Sequence, residues 1–168
     1  KKAGVVALST GNHGRGLAYA AKLMKIKCII CMSELVPQNK IDGIKALGAE
    51  VRLIGTKQDE AQVEADRLSI EEGMTYVSPF DNVDVIAGQG TLGLEIYKQV
   101  PEINFAFVPL SGGGLICGVA KALKGLNPNI KVIGVSMDRG AAMYESQKAG
   151  KPIYVEEEES LADALTGG

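Results

Sequence analysis

Asn104-Phe105-Ala106-Phe107-Val108-Pro109-Leu110-Ser111-Gly112-Gly113-Gly114-Leu115 is the stretch whose reading decides the fold. After Asn104, its next six residues are an apolar run of strand length with two phenylalanines. The run stops at Ser111, crosses three consecutive glycines and enters a helical pattern over residues 115–126. A second apolar run, Lys131 to Ser136, follows after a short break. Strand, glycine turn, helix and strand in that order predict a β-α-β unit with parallel strands.

Working outward, the same rhythm fills the chain. Gly4 to Leu8, Lys27 to Met32, Glu50 to Ile54 and Met74 to Val77 predict strands. Between them lie helical patterns over Gly14 to Met24, Gln38 to Leu47 and Gln58 to Glu72, the last two closed by Gly48 and Gly73. The third helix is expected to place Ala61, Val63, Ala65 and Leu68 inward. Ser9 to Asn12 is expected to be a turn. Ser78-Pro79-Phe80-Asp81 breaks the rhythm, a long helix over Asp84 to Val100 follows, and Gly140 to Ala149 predicts a last one. The expected fold class is α/β, with open parallel sheets and helices on both faces. The expected division is a small αβα lobe, residues 1–79, and part of a large αβα lobe, residues 80–168. Glu156 to Glu159 reads as a solvated acidic run.

Composition narrows the function. A net charge of -2 provides no basic footprint for nucleic acid. No apolar run reaches the ~18 residues of a membrane span, and no signal peptide opens the chain. Glycine is abundant, at 21 residues, against a usual share of about 7%. Cys28 and Cys31 form a C-x-x-C, a spacing used in redox and zinc sites. On a strand, however, an odd spacing sends the two thiols to opposite faces, ~10 Å apart. Both are expected to be core thiols, and an odd count of unpaired cysteines fits a reducing cytoplasm.

Two glycine turns remain as chemistry. Each follows a predicted strand and opens a predicted helix, whose first N–H groups lack partners and favour an anion. Ser111-Gly112-Gly113-Gly114-Leu115 lets a phosphate approach bare backbone; the plainer alternative is a tight turn with close helix packing. Ser9-Thr10-Gly11-Asn12-His13-Gly14 offers two hydroxyls, an amide and the single histidine at the carboxyl end of a strand, where open α/β sheets place ligands. It also reads as an ordinary helix cap. No Walker A sequence and no G-x-S-x-G elbow is present. Gly112, Gly114 and Gly118, with Asp138 beyond the next strand, leave an NAD(P)-binding oxidoreductase open. A non-catalytic fragment that binds a small anion or a partner stays open as well.

Taken together, Ser9 to Gly14 resembles the S-x-G-N-H loop of fold-type II (tryptophan-synthase-β-like) pyridoxal-phosphate enzymes, and Ser111 to Leu115 resembles their phosphate loop. Ala87-Gly88-Gln89-Gly90-Thr91 matches a third family stretch, in the right order between them. The resemblance runs through essentially the whole chain and points to the serine/threonine dehydratases. Val135 to Tyr144 is similar to the hydroxyectoine-utilisation dehydratase subgroup.

The resemblance implies pyridoxal 5'-phosphate as cofactor, with Gly112, Gly113, Gly114 and Leu115 on its phosphate and Asn12 on the 3′ oxygen of its ring. It implies a small amino-acid substrate whose carboxylate is surrounded by Ser9, Thr10, Asn12 and His13. Thr10 stands where related racemases carry a catalytic serine. The implied reaction is β-elimination to a keto acid and ammonia. The family's Schiff-base lysine lies upstream of the Asn loop and is not matched by Lys1 or Lys2, so the chain is expected to be a central, truncated fragment that is inactive alone. Some relatives bind a cation through an acid after the strand ending at Ser136; that acid is missing here, so no metal site is expected. A truncated large lobe is expected to expose apolar sheet and self-associate, and the parent enzyme is expected to be a cytoplasmic homo-oligomer, a dimer.

Overall fold

A computed structural model of the chain describes residues 3–156, 158, 160–162 and 165. Two compact units divide it, Lys1–Pro79 and Phe80–Gly168.

The first unit runs β1 (Val5–Leu8), α1 (Asn12–Met24), β2 (Cys28–Met32), α2 (Gln38–Lys45), β3 (Glu50–Leu53), α3 (Gln58–Glu71) and β4 (Thr75–Tyr76). Its four strands are all parallel, in the order β3-β2-β1-β4. All five residues of β2 are buried, as a central strand covered on both faces requires. Cys28, Ile30 and Met32 pack on one side with Ala18 and Ala21 of α1 and Ile41 and Ile44 of α2. Ile29 and Cys31 pack on the other with Ala61, Ala65 and Leu68 of α3. The two thiols therefore lie in separate clusters, and burial pushes each up to about 11. Neither is poised for redox chemistry.

Two local expectations are corrected here. Val63 points outward and is 70% exposed, because two helical steps from Ala61 turn it about 200° away from the buried stripe. Helix α1 begins at Asn12 rather than Gly14. The side-chain oxygen of Ser9 accepts the N–H of Gly14 (2.9 Å) and of Gly11 (3.3 Å), replacing partners that the first helical turn lacks.

Charge ties α3 to β3. Glu64 accepts from Arg67 Nε (2.8 Å) and Nη2 (2.9 Å) and from Arg52 Nη1 (2.6 Å). The hydrogen bonds from Arg67, and then from Arg52, hold the Glu64 carboxyl down at about 2 against an opposing desolvation. A depressed carboxyl adds stability that is complete above the ordinary value of 4.5 and is lost as pH falls through about 2. Solvent screening limits the effect to about 1 kcal/mol. Glu64→Gln is thus expected to lower the urea midpoint at pH 7 and to leave it nearly unchanged near pH 2.

The second unit contains α4 (Val83–Gln99), β5 (Phe105–Pro109), α5 (Gly114–Leu126), β6 (Lys131–Val135) and α6 (Ala142–Ala149). Asn82 caps α4, accepting the N–H groups of Asp84 (2.9 Å) and Val85 (3.0 Å). Helix α6 starts two residues later than expected, because Gly140 sits in a turn with φ +67°. Of the acidic run, Glu157 and Glu159 lie outside the described residues, and Glu158 pairs with Arg139 at 3.1 Å. Strands β5 and β6 pair in parallel. Ala106, Val108 and Val132 pack with Val119 and Leu123 of α5. Coverage of both faces is not met here: Phe105, Phe107, Ile133 and Val135 remain exposed, Phe107 at 68%. A parallel sheet with an open apolar face is a sticky surface. The chain alone is expected to sediment as oligomers at micromolar concentration, and Phe107→Glu with Ile133→Lys to shift it toward monomer. A wild-type chain that sediments as a clean monomer would contradict this.

Candidate active site

Strand order locates the first turn. From β1 the chain winds outward through α1 to β2 and then β3, whereas β4 is added on the other side of β1 after α3 has crossed the opposite face. The winding therefore reverses between β1 and β4, and the crevice at the carboxyl ends of such a pair is where open α/β sheets bind ligands. Ser9 to His13 leaves β1 at that point, and Val77 leaves β4.

Within this turn Ser9 is buried, Thr10 and His13 are half-buried and Asn12 is exposed. Ser9 Oγ is occupied by its two backbone donors. The Thr10 hydroxyl has no hydrogen bond among the described residues. The N–H of Arg15 returns to Gly11 O (3.2 Å), while those of Asn12 and His13 have no partner among the described residues. No acidic residue stands in the first turn of α1 and no side chain caps it at Gly11. Two backbone donors and a positive helix end thus face the crevice, suited to a carboxylate. The ring of His13 is itself engaged, its Nε2 lying 2.9 Å from Val77 O. Desolvation lowers its pKa below the ordinary value, the hydrogen bond to Val77 opposing this in part, so the ring is neutral at pH 7.

In the second turn each glycine has its own reason. A Cβ at Gly112 would enter the ring of Phe80, 2.6 Å from Cγ. Gly113 holds φ +93°, the left-handed region, where a side chain is strained although space is adequate. Gly114 is the buried first residue of α5. The N–H of Cys117 returns to Gly113 O (2.9 Å), leaving those of Gly114, Leu115 and Ile116 as the orphan donors of the helix start. No side chain caps them and no carboxylate competes in the first turn. Bare backbone donors at a helix N-terminus fit a phosphate ester.

The fold and these two turns define a class, and the comparisons agree: the pyridoxal-phosphate dependent enzyme family matches residues 1–168, and the chain belongs to it. Among its relatives, a putative threonine dehydratase of Sinorhizobium fredii is 56% identical over 98% of this chain and 50% of its own length. Among solved structures, maize serine racemase superposes with a TM-score of 0.90 at 35% identity, over 98% of this chain and 50% of that one. The processed form of threonine deaminase isoform 2 from Solanum lycopersicum gives 0.89 at 41%, over 98% of this chain and 45% of that one. The chain spans between about a third and a half of the length of curated relatives it matches. Nothing in these likenesses supports the dinucleotide reading. Gly118, its third glycine, has another task, since a Cβ there would collide with Ile86 O and stand 2.6 Å from Gly90 N across the α4–α5 contact.

Two contributors escaped the sequence reading. Phe80 follows the Pro79 break, and only the glycine triplet hinted that something approaches closely there. The carbonyl of Val77 gave no signal, since any residue supplies one.

Proposed function

We propose that the protein carrying this chain is a pyridoxal-phosphate-dependent hydroxy-amino-acid dehydratase, converting threonine or serine to a keto acid and ammonia. The observation that carries this reading is the 56% identity, across 98% of the chain, to a putative threonine dehydratase. Val135 to Tyr144 supports a finer placement in the hydroxyectoine-utilisation subgroup. Bound pyridoxal phosphate supplies an electron sink for the carbanion at the substrate Cα.

The chain's own residues bind and orient. Backbone at Gly112, Gly113, Gly114 and Leu115 holds the phosphate. The Asn12 amide holds the 3′ oxygen of the ring. The N–H groups of Asn12 and His13 take the substrate carboxylate, and Ser9 fixes the turn that presents them. Thr10 Oγ1, the hydroxyl of the turn with no partner among the described residues, exchanges a proton with the substrate. No lysine of this stretch matches the Schiff-base lysine, so we propose that these 168 residues alone do not turn over. The buried thiols of Cys28 and Cys31 suit a reducing cytoplasm, and we assign the whole enzyme as a homodimer.

With pyridoxal phosphate and L-threonine or L-serine added, a protein of the relatives' full length containing this stretch is expected to release keto acid, and the 168-residue chain to release none. Keto acid from the short chain would show that its lysines had been misread. None from the long form, with either substrate, would end the dehydratase assignment.

A further inference from the structure

We infer that His13 is a positioning residue: its imidazole braces the first turn of α1 against the exit of β4 as the Nε2–H tautomer, and its side chain does not hold the substrate carboxylate. The inference rests on the reading of this turn as the substrate-handling one and refines what His13 does there.

The geometry assigns the proton. A backbone carbonyl only accepts, so a nitrogen 2.9 Å from Val77 O must carry the hydrogen. In a neutral imidazole the other nitrogen, Nδ1, is then a bare lone pair. A lone pair repels a carboxylate. Partial burial disfavours the second proton that would turn Nδ1 into a donor. The side chain therefore has no donor left for an anionic substrate, and what His13 can give is its backbone N–H.

The bond also has structural reach. It joins residues 64 positions apart, across the β1–β4 crevice where the winding reverses. Strand β4 is only two residues long and pairs with β1 at Val5 and Val6. Just beyond, the N–H of Val77 donates to Val6 O at 2.9 Å. Val77 is thus pinned through its N–H to β1 and through its carbonyl to α1. Asn12 shares the helical turn with His13, so the brace sets the angle at which its exposed amide is presented.

His13 is the single histidine of these 168 residues, and in the full-length protein its ring is the histidine-selective ¹⁵N signal that disappears on His13→Asn. At pH 7 that signal is expected to show a neutral ring with a protonated Nε2 and an unprotonated Nδ1. A ring protonated at Nδ1, or one exchanging freely between tautomers, overturns the brace. The consequence is tested with two substitutions in the full-length holoenzyme. The amide of His13→Gln can reach the place of Nε2, whereas His13→Asn reproduces only the Nδ1 position. We expect Asn to lower kcat/KM about tenfold, the effect of one lost hydrogen bond, and Gln to recover most of that loss. Activity retained by Asn with a raised KM in Gln would show that the ring binds substrate instead. The tautomer is read without cofactor or substrate, so a wrong tautomer sinks the brace whatever the reaction. The right tautomer with no keto-acid release from the wild-type holoenzyme sinks the dehydratase reading alone.

Discussion

Gly118→Ala is expected to lower stability by about 3 kcal/mol, the upper range for forcing extra volume into a packed contact. The new methyl would collide with Ile86 O and meet Gly90 N at 2.6 Å, and both are backbone atoms of α4 that no rotamer change can withdraw. Relief requires α4 to move off α5. The same contact seats Gly93 of α4, where a Cβ would lie 2.9 Å from both Val119 O and Ala122 Cβ, so shifting the helices disturbs it along its length. Gly88 is the control. It lies in α4, with nothing within 4 Å of its Cβ position. Gly88→Ala is expected to stabilise by about 0.5–1 kcal/mol through helix propensity alone. Urea unfolding of both variants checks the pair, since a change in midpoint at constant slope reports stability. Equal midpoints would mean that the glycine-lined crossing is not a tight contact.

Gly113→Ala is expected to act on the cofactor rather than chiefly on the fold. A Cβ at this position meets nothing closer than Met143 Cε at 3.4 Å, an ordinary contact. The cost is conformational, about 1–2 kcal/mol for holding a left-handed φ with a side chain. A surface turn escapes that cost by changing its dihedral, which swings the orphan N–H groups of α5 off their common target. Pyridoxal phosphate affinity in the holoenzyme is therefore expected to fall about tenfold or more. Affinity for pyridoxal, which lacks the phosphate, is expected to hold. Titrating both ligands into both proteins measures the ratio that the phosphate contributes. If that ratio survives the substitution, the phosphate is bound elsewhere and the role given to this turn is wrong. Gly112→Ala serves as a contrasting case, because its methyl would displace the Phe80 ring without demanding a new φ.

Several features of this chain follow from sequence because their causes are local. The alternation of apolar runs with helical patterns needs only period-2 and period-3.6 spacing, which adjacent residues set. The separation of Cys28 from Cys31 follows from strand parity. The inward stripe Ala61, Ala65 and Leu68 follows from helical periodicity, and the same periodicity turns Val63 outward. The two glycine turns were legible for the same reason: a glycine-rich junction between strand and helix leaves uncapped N–H groups whatever surrounds it.

Tertiary structure decided the rest. The order β3-β2-β1-β4, which puts the Asn12 turn in a crevice, depends on which strands pair across the unit. The same holds for His13 on Val77, Gly118 on α4 and Phe80 on Gly112. In each of these a local pattern announced that one partner was unusual but could not name the other. Backbone carbonyls and ring faces carry no sequence signature, and pairing between distant segments is selected by the packing of the whole unit rather than by either segment's own preferences.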